Sequence, residues 1–225
     1  MTTTTTTAPI TLPLGTTPQG TDVRWHLTDE TGHPQHGLIL GPTGAGGSTT
    51  LARLATGAHA AGVRTLAVAL DHGTDYLDPA WDQAPWNISR CADADDLTRG
   101  MDEVLGQLGP SPAPRLVLVD GALALRAAPK RWVRLLRQAA RLQTSVVARV
   151  HRPTLDEFGG LDVLRSHLAA YGQYLALGRP CRVSAALMRD LLPGYIAPVY
   201  RQAPGRGLYG HGGTTASVTI TGPRH

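Results

Sequence analysis

Residues 37 to 50 read Gly-Leu-Ile-Leu-Gly-Pro-Thr-Gly-Ala-Gly-Gly-Ser-Thr-Thr, and their types and spacing suit the capture of a phosphate group. Gly37 to Leu40 is a short apolar run of strand type. Gly41, Pro42, Thr43, Gly44, Ala45, Gly46 and Gly47 follow as a turn, and Ser48 and Thr49 open a stretch with Leu51, Leu54, Ala55, Ala58 and Ala61 at helical spacing. A glycine-rich turn between strand and helix lets backbone N–H groups converge on one point, and the new helix adds its positive N-terminal end. Gly41, Gly46 and Ser48 match the phosphate-loop pattern of glycine, four residues, glycine, lysine, then serine or threonine, except that Gly47 stands where the lysine belongs. That lysine stabilises charge on the β- and γ-phosphates during transfer. Backbone binding of phosphate can therefore survive here while catalysis is lost. The plain alternative is a glycine-rich turn that holds nothing.

Arg115 to Asp120, Arg-Leu-Val-Leu-Val-Asp, is an apolar strand that ends in a carboxylate. Phosphate-loop proteins use such an aspartate, with the loop hydroxyl (here Ser48), to hold Mg²⁺. Those that hydrolyse ATP usually follow the aspartate with a water-activating glutamate, and here Gly121 follows. The chain has one lysine, Lys130, against twenty arginines, and neither type occurs between Gly32 and Gly46. No adjacent substitute for the missing ammonium is expected, and Lys130 is the one remote candidate.

The elements that must position these groups alternate along the chain. Strands are expected at Val23 to Leu27, Thr65 to Leu70, Asn87 to Ser89, Arg115 to Asp120, Ser145 to Val150, Tyr174 to Leu177 and Ala216 to Ile220. Between them lie helices from the Asp93, Asp95, Asp96 cluster to about Leu108, over Lys130 to Leu142, around Leu164 to Ala169, and over Ser184 to Leu192. The acidic cluster reads as helix N-terminal charge rather than a metal site. Residues 71–86 and the Pro204-Gly205-Arg206-Gly207 segment read as loops. Alternating strands and helices imply an α/β fold, a mostly parallel sheet with helices on both faces. Residues 1–20 are expected to be a disordered Thr/Pro-rich tail, and 21–225 a single domain.

On the 130–142 helix, Trp132, Leu135, Leu136 and Ala139 fall on one side, while Lys130, Arg134, Arg137 and Arg141 recur along another. Such a stripe suits a DNA backbone; a solvated face or a subunit contact is the alternative. A formal charge of +4 and a pI near 9.4 permit a polyanionic partner without requiring one. Cys91 and Cys181 are isolated, which fits a reducing compartment and neither a disulfide framework nor a zinc site. No apolar run approaches membrane-span length and no leader pattern opens the chain, so a cytoplasmic location is expected.

Several of these stretches, in order, resemble the FtsK/SpoIIIE family of hexameric DNA-translocating ATPases, especially the plasmid-transfer proteins of mycelial actinobacteria. Gly41 to Ser48 resembles the family's ATP loop and Leu116 to Asp120 its magnesium strand. The segment from His151 to Ala169, with Arg152-Pro153, Gly159-Gly160 and Leu164-Arg165-Ser166, resembles the stretch after its sensor strand. The resemblance implies a RecA-like P-loop NTPase fold, ATP and Mg²⁺ as cofactors, double-stranded DNA as partner, and assembly with like or related motor subunits. It also implies that Asp120, His151 and Arg152 form the catalytic set. Departures fall where the chemistry lies: Gly47 for lysine, Gly121 for glutamate, and Val150-His151 for the sensor Thr-Gln pair. A domain that binds nucleotide with impaired or no hydrolysis is therefore expected. Two other readings compete. Gly41, Gly44 and Gly47 also resemble the NAD(P) loop of extended short-chain dehydrogenases, with Asp71 as the ribose acid, although no Tyr-x-x-x-Lys pair exists. A non-enzymatic DNA-binding protein is the other.

Overall fold

The computed structural model describes residues 8–70, 87–91, 93–107, 113–197 and 203–220. In chain order the elements are β1 (Thr11–Thr16), β2 (Asp22–His26), β3 (Gly37–Leu40), α1 (Gly47–Ala60), β4 (Arg64–Leu70), β5 (Asn87–Cys91), α2 (Ala94–Gln107), β6 (Arg115–Asp120) and α3 (Ala122–Ala127). They continue with α4 (Pro129–Leu142), β7 (Thr144–Val150), α5 (Asp162–Ala169), β8 (Tyr174–Leu177), α6 (Arg182–Leu191), β9 (Arg206–His211) and β10 (Thr214–Thr219). Among the described residues, ten strands join one sheet in the order β2-β1-β10-β9-β8-β3-β7-β6-β4-β5. The block β8-β3-β7-β6-β4-β5 is parallel throughout, and β9, β10, β1 and β2 extend it antiparallel.

The parallel strands are apolar on both sides because both sides are covered. In β6, Leu116 and Leu118 pack on the α1 side with Leu51, Leu54 and Ala58. Val117 and Val119 pack on the opposite side with Trp132, Leu135 and Leu136 of α4. The helix over 130–142 buries the side that its periodicity indicates, and the Trp132 indole N–H donates to the Ala124 carbonyl at 2.8 Å. Lys130, Arg134, Arg137 and Arg141 are all exposed. Asp93 caps α2 by accepting the Asp96 N–H at 2.8 Å, the helix-terminal role expected of that cluster.

Two expectations change. The Thr/Pro-rich tail was expected to be disordered to residue 20, yet residues 11–16 form β1, with Leu12 and Leu14 fully buried. Alternation of these two leucines across Pro13 is a strand signal that the surrounding Thr, Pro and Gly composition hid. The glycine-rich segment near residue 205 leads directly into β9, where Gly207 and Gly210 leave room for close packing on β8. The 71–86 loop and residues 1–7 lie outside the described residues.

The antiparallel extension does not run away from the core. Trp25 of β2 lies over Gly37 of β3, so close that a Cβ at Gly37 would come 2.5 Å from its ring, and Trp25 meets the Tyr209 ring at 5.9 Å. In sheet order β2 and β3 are far apart, so these contacts mean that the sheet curls back over its α1 side. The buried Gln173 side chain fastens the curl. It accepts the His26 N–H and donates to the His26 carbonyl, both at 2.8 Å, and accepts the Tyr209 hydroxyl at 3.1 Å.

Replacing Gln173 with Leu leaves both His26 backbone groups without that partner. A loss of roughly 2–5 kcal/mol in urea unfolding is expected, and a loss below about 0.5 kcal/mol would show that the curl does not depend on this clasp. A pH effect follows from His36, which is buried and accepts the Val146 N–H on Nδ1 at 3.1 Å. Burial, and secondarily nearby His167, lower its pKa from 6.5 to about 4. The folded value lies below the unfolded one, so the fold favours neutral imidazole. Stability is full above about pH 6.5 and declines as pH falls toward about 4, by on the order of 3 kcal/mol. Unfolding at about pH 7 and about pH 5 should show a smaller decline in His36→Gln than in the natural chain.

Candidate nucleotide site at the first strand-to-helix turn

Because β3, β6, β7 and β8 are parallel, their carboxyl ends deliver four segments to one edge of the sheet: the Gly41 turn, Asp120-Gly121, His151-Arg152 and Gly178-Arg179. Open α/β sheets bind ligands at this edge. The turn is an ordered structure. Gly41 N–H donates to the Val150 carbonyl at 3.2 Å, Ala45 N–H to the Pro42 carbonyl at 3.1 Å, and Gly44 and Gly46 take φ of 77° and 98°. The first backbone bond into α1 runs from Thr50 N–H to the Gly46 carbonyl at 3.0 Å, so the N–H groups of Gly46, Gly47 and Ser48 precede the helical ladder. From the far end of the chain, Gly205 N–H braces the turn by donating to the Ala45 carbonyl at 3.0 Å.

The place beside Gly47 belongs to an arginine. A Cβ on Gly47 would lie 2.6 Å from Nε, 2.9 Å from Cδ and 3.2 Å from Cγ of Arg149, so glycine here makes room for the Arg149 stem. That side chain rises from β7, which stands between the loop strand β3 and the aspartate strand β6. Its guanidinium donates from one terminal nitrogen to Asp120 Oδ1 at 2.7 Å, and the two side chains are 15% and 7% exposed. Its other terminal nitrogen is 3.4 Å from His151 Nε2, which also lies 3.1 Å from Thr43 Oγ1 of the turn. A guanidinium has no acceptor, so in that contact Nε2 accepts and the ring proton sits on Nδ1. The His151 backbone N–H is held by Glu157 Oε2 at 2.7 Å.

Several expectations about the site are altered by this arrangement. Lys130 was the only remote substitute foreseen for the loop lysine, but it sits with the basic stripe on α4, and Arg149 is the cation in contact with Gly47. Arg149 was missed, although a charge set between Val146-Val147-Ala148 and Val150 on an apolar strand signals a buried partner. Ser48 and Asp120 were expected to hold Mg²⁺; in this structure Asp120 Oδ1 carries the Arg149 guanidinium, so an ion approaching that carboxylate meets a charge already paired.

Gly121 adopts φ 98° and ψ 152°, a conformation that a side chain rarely tolerates, and its N–H donates to the Arg149 carbonyl at 3.2 Å. The absent glutamate could not be installed here without moving the backbone. In front of the turn opens a cleft of about 530 Å³ whose lining includes Thr43, His151, Arg152, Arg179 and Cys181. The Ser184 hydroxyl, 3.2 Å from the Cys181 sulfur, lowers that thiol's pKa below its ordinary value. The turn, Asp120, His151 and Arg152 are thus brought to one edge, whereas the stripe from Lys130 to Arg141 lies apart from them on the outer surface of α4.

The topology removes the dinucleotide alternative. That fold places its second strand directly beside the first, so that the acid after strand two reaches the ribose. Here β7 and β6 separate β3 from β4, and Asp71 lies outside the described residues.

No protein-family model matches the chain, and no curated protein matches it. Solved structures do. The cytoplasmic domain of EssC superposes with a TM-score of 0.70 at 14% identity, over 94% of this chain and 44% of that one. The cytoplasmic domain of the type VII secretion ATPase EccC of Thermomonospora curvata gives 0.71 at 14%, over 97% and 27%. The pCW3 conjugation coupling protein TcpA, solved as a monomer with ATPγS, gives 0.67 at 13%, over 93% and 65%. The chain therefore spans less than half the length of the first two. At such identities the likeness is one of fold alone: the chain shares the fold of these domains.

Proposed function

We propose that this chain is a nucleotide-binding domain related to the FtsK/SpoIIIE DNA translocases, one that holds ATP on the Gly41–Ser48 turn and hydrolyses it weakly or not at all. The observation that carries this reading is the turn itself. It holds Gly44 and Gly46 at positive φ, is braced from behind by Gly205, and opens onto a cleft with His151, Arg152 and Arg179 on its walls. Backbone donors and the helix end suit the phosphates of a nucleotide, and surrounding cations add long-range attraction. The chemistry that would turn binding into hydrolysis is what the site lacks, since the loop ammonium and the water-activating carboxylate are both replaced by glycine.

In this reading the chain acts as an accessory or partner subunit of a DNA-transfer machine. Conjugation and secretion motors are the fold's solved neighbours, and the Lys130, Arg134, Arg137, Arg141 row is exposed along one helix. Residues four, three and four apart form a line on a helix surface, suited to successive phosphates of a duplex.

Calorimetric titration of the full chain with ATP should show saturable binding with near-background turnover. Gly46→Val places a branched side chain at φ 98° with its Cβ 3.2 Å from Gly205 N; it should weaken binding at least about tenfold, or 1.4 kcal/mol. No saturable ATP binding by the natural chain, or DNA-stimulated turnover like that of an intact motor, would sink the reading. Duplex DNA affinity should fall steeply with salt, and replacing Arg134, Arg137 and Arg141 with Gln should reduce the log–log slope by about 2–3. An unchanged slope would leave the stripe as a solvated face.

A further inference from the structure

We propose that Arg149 is the phosphate-facing cation of this site and that, by occupying Asp120, it makes nucleotide binding independent of a divalent metal. This rests on the nucleotide reading above and specifies how that site handles charge. A conventional phosphate loop uses two sources of positive charge, the loop ammonium and a metal ion beside the strand-end aspartate. Here one guanidinium stands next to both places. Its stem lies against Gly47, where the lysine stem would begin, and its tip contacts the Asp120 carboxylate at 2.7 Å.

Three observations make this an arrangement of the site rather than a passing side-chain pose. Gly47 is the residue that admits Arg149, because a Cβ there would strike Nε at 2.6 Å. The ion pair is largely withdrawn from solvent, so it is screened less than a surface pair. His151 extends the contacts from Arg149 to Thr43 in the turn. A guanidinium carries five N–H donors in a planar fork. The contacts with Asp120 and His151 use two of them, which leaves donors for phosphate oxygens.

The consequence for metals is direct. A magnesium ion reaching Asp120 meets a carboxylate whose charge is already neutralised by a guanidinium hydrogen-bonded to Oδ1. The paired carboxylate attracts a second cation weakly, and the same guanidinium is the nearest replacement for the loop ammonium. Metal-free nucleotide, with more negative charge to offer, is therefore the better ligand.

The test is equilibrium binding of ATP to the full chain with excess Mg²⁺ and with excess EDTA. The affinities should agree within about threefold, or favour EDTA, where a metal-dependent loop would lose about tenfold or more without the ion. Asp120→Asn removes the competing carboxylate charge and leaves Arg149 to the phosphate. Affinity in EDTA should hold or rise by about threefold to tenfold, whereas an aspartate that holds a metal would make the same variant weaker. Arg149→Met should lose at least about tenfold in EDTA. Should that variant fold poorly, the exchange Gly47→Lys with Arg149→Val returns the cation to its usual place and frees Asp120. That double variant should bind again and should now require Mg²⁺.

Magnesium-dependent binding by the natural chain, with weakening in Asp120→Asn, would overturn the role given to Arg149 and leave the nucleotide site standing. No ATP binding in either condition would overturn both.

Discussion

The pair formed by Arg149 and Asp120 is the constraint around which this edge of the sheet is arranged. A cation rooted in the middle of a buried parallel sheet has to find a counter-charge or a route to water. Arg149 finds both an acidic neighbour on β6 and an exit past Gly47. Removing either partner of such a pair leaves an uncompensated, largely desolvated charge, a loss of about 3–5 kcal/mol when burial is complete and less here, where Arg149 keeps some exposure. The pair is thus weak evidence of net stability, and its effect is positional. It fixes where a positive charge stands relative to the turn, and it dictates glycine at 47.

The curl of the sheet serves the same edge from the other direction. Gly205, which braces the turn through Ala45, is held by the Ile220 N–H at 2.7 Å and leads into β9. Strand β9 is tied in turn to Gln173 and Trp25 through Tyr209. A phosphate-type turn is a chain of short backbone contacts with little apolar content, so it needs support from elements that have a core of their own. The Trp25, Leu12, Leu14 and Leu175 cluster supplies that core on the α1 side.

Much of this was legible in the sequence, for identifiable reasons. The strand over 115–120, the strand over 174–177 and the helix over 130–142 are apolar runs or stripes whose periodicity matches their environment, and the structure places them with the expected faces buried. The turn at 41–48 was readable because glycine spacing is a local property. The strand at 11–16 was not, since two leucines among threonines, prolines and glycine acquire meaning only when β2 and β10 lie beside them. Nor was Arg149. Its role depends on β7 lying between β3 and β6, a fact of topology carried by no single stretch of chain.

In that topology the glycines at 47 and 121 do more than leave out a side chain. At 47 the space is occupied by the Arg149 side chain, and at 121 the backbone holds a positive-φ conformation that a side chain would resist. The two are joined as well, because Gly121 N–H bonds the carbonyl of the same Arg149 whose side chain meets Gly47 and Asp120. A single strand residue therefore contacts both glycines, through its main chain at one and its side chain at the other. Through that coupling, a side chain added at either glycine alone would set itself or the backbone against the arginine already in place.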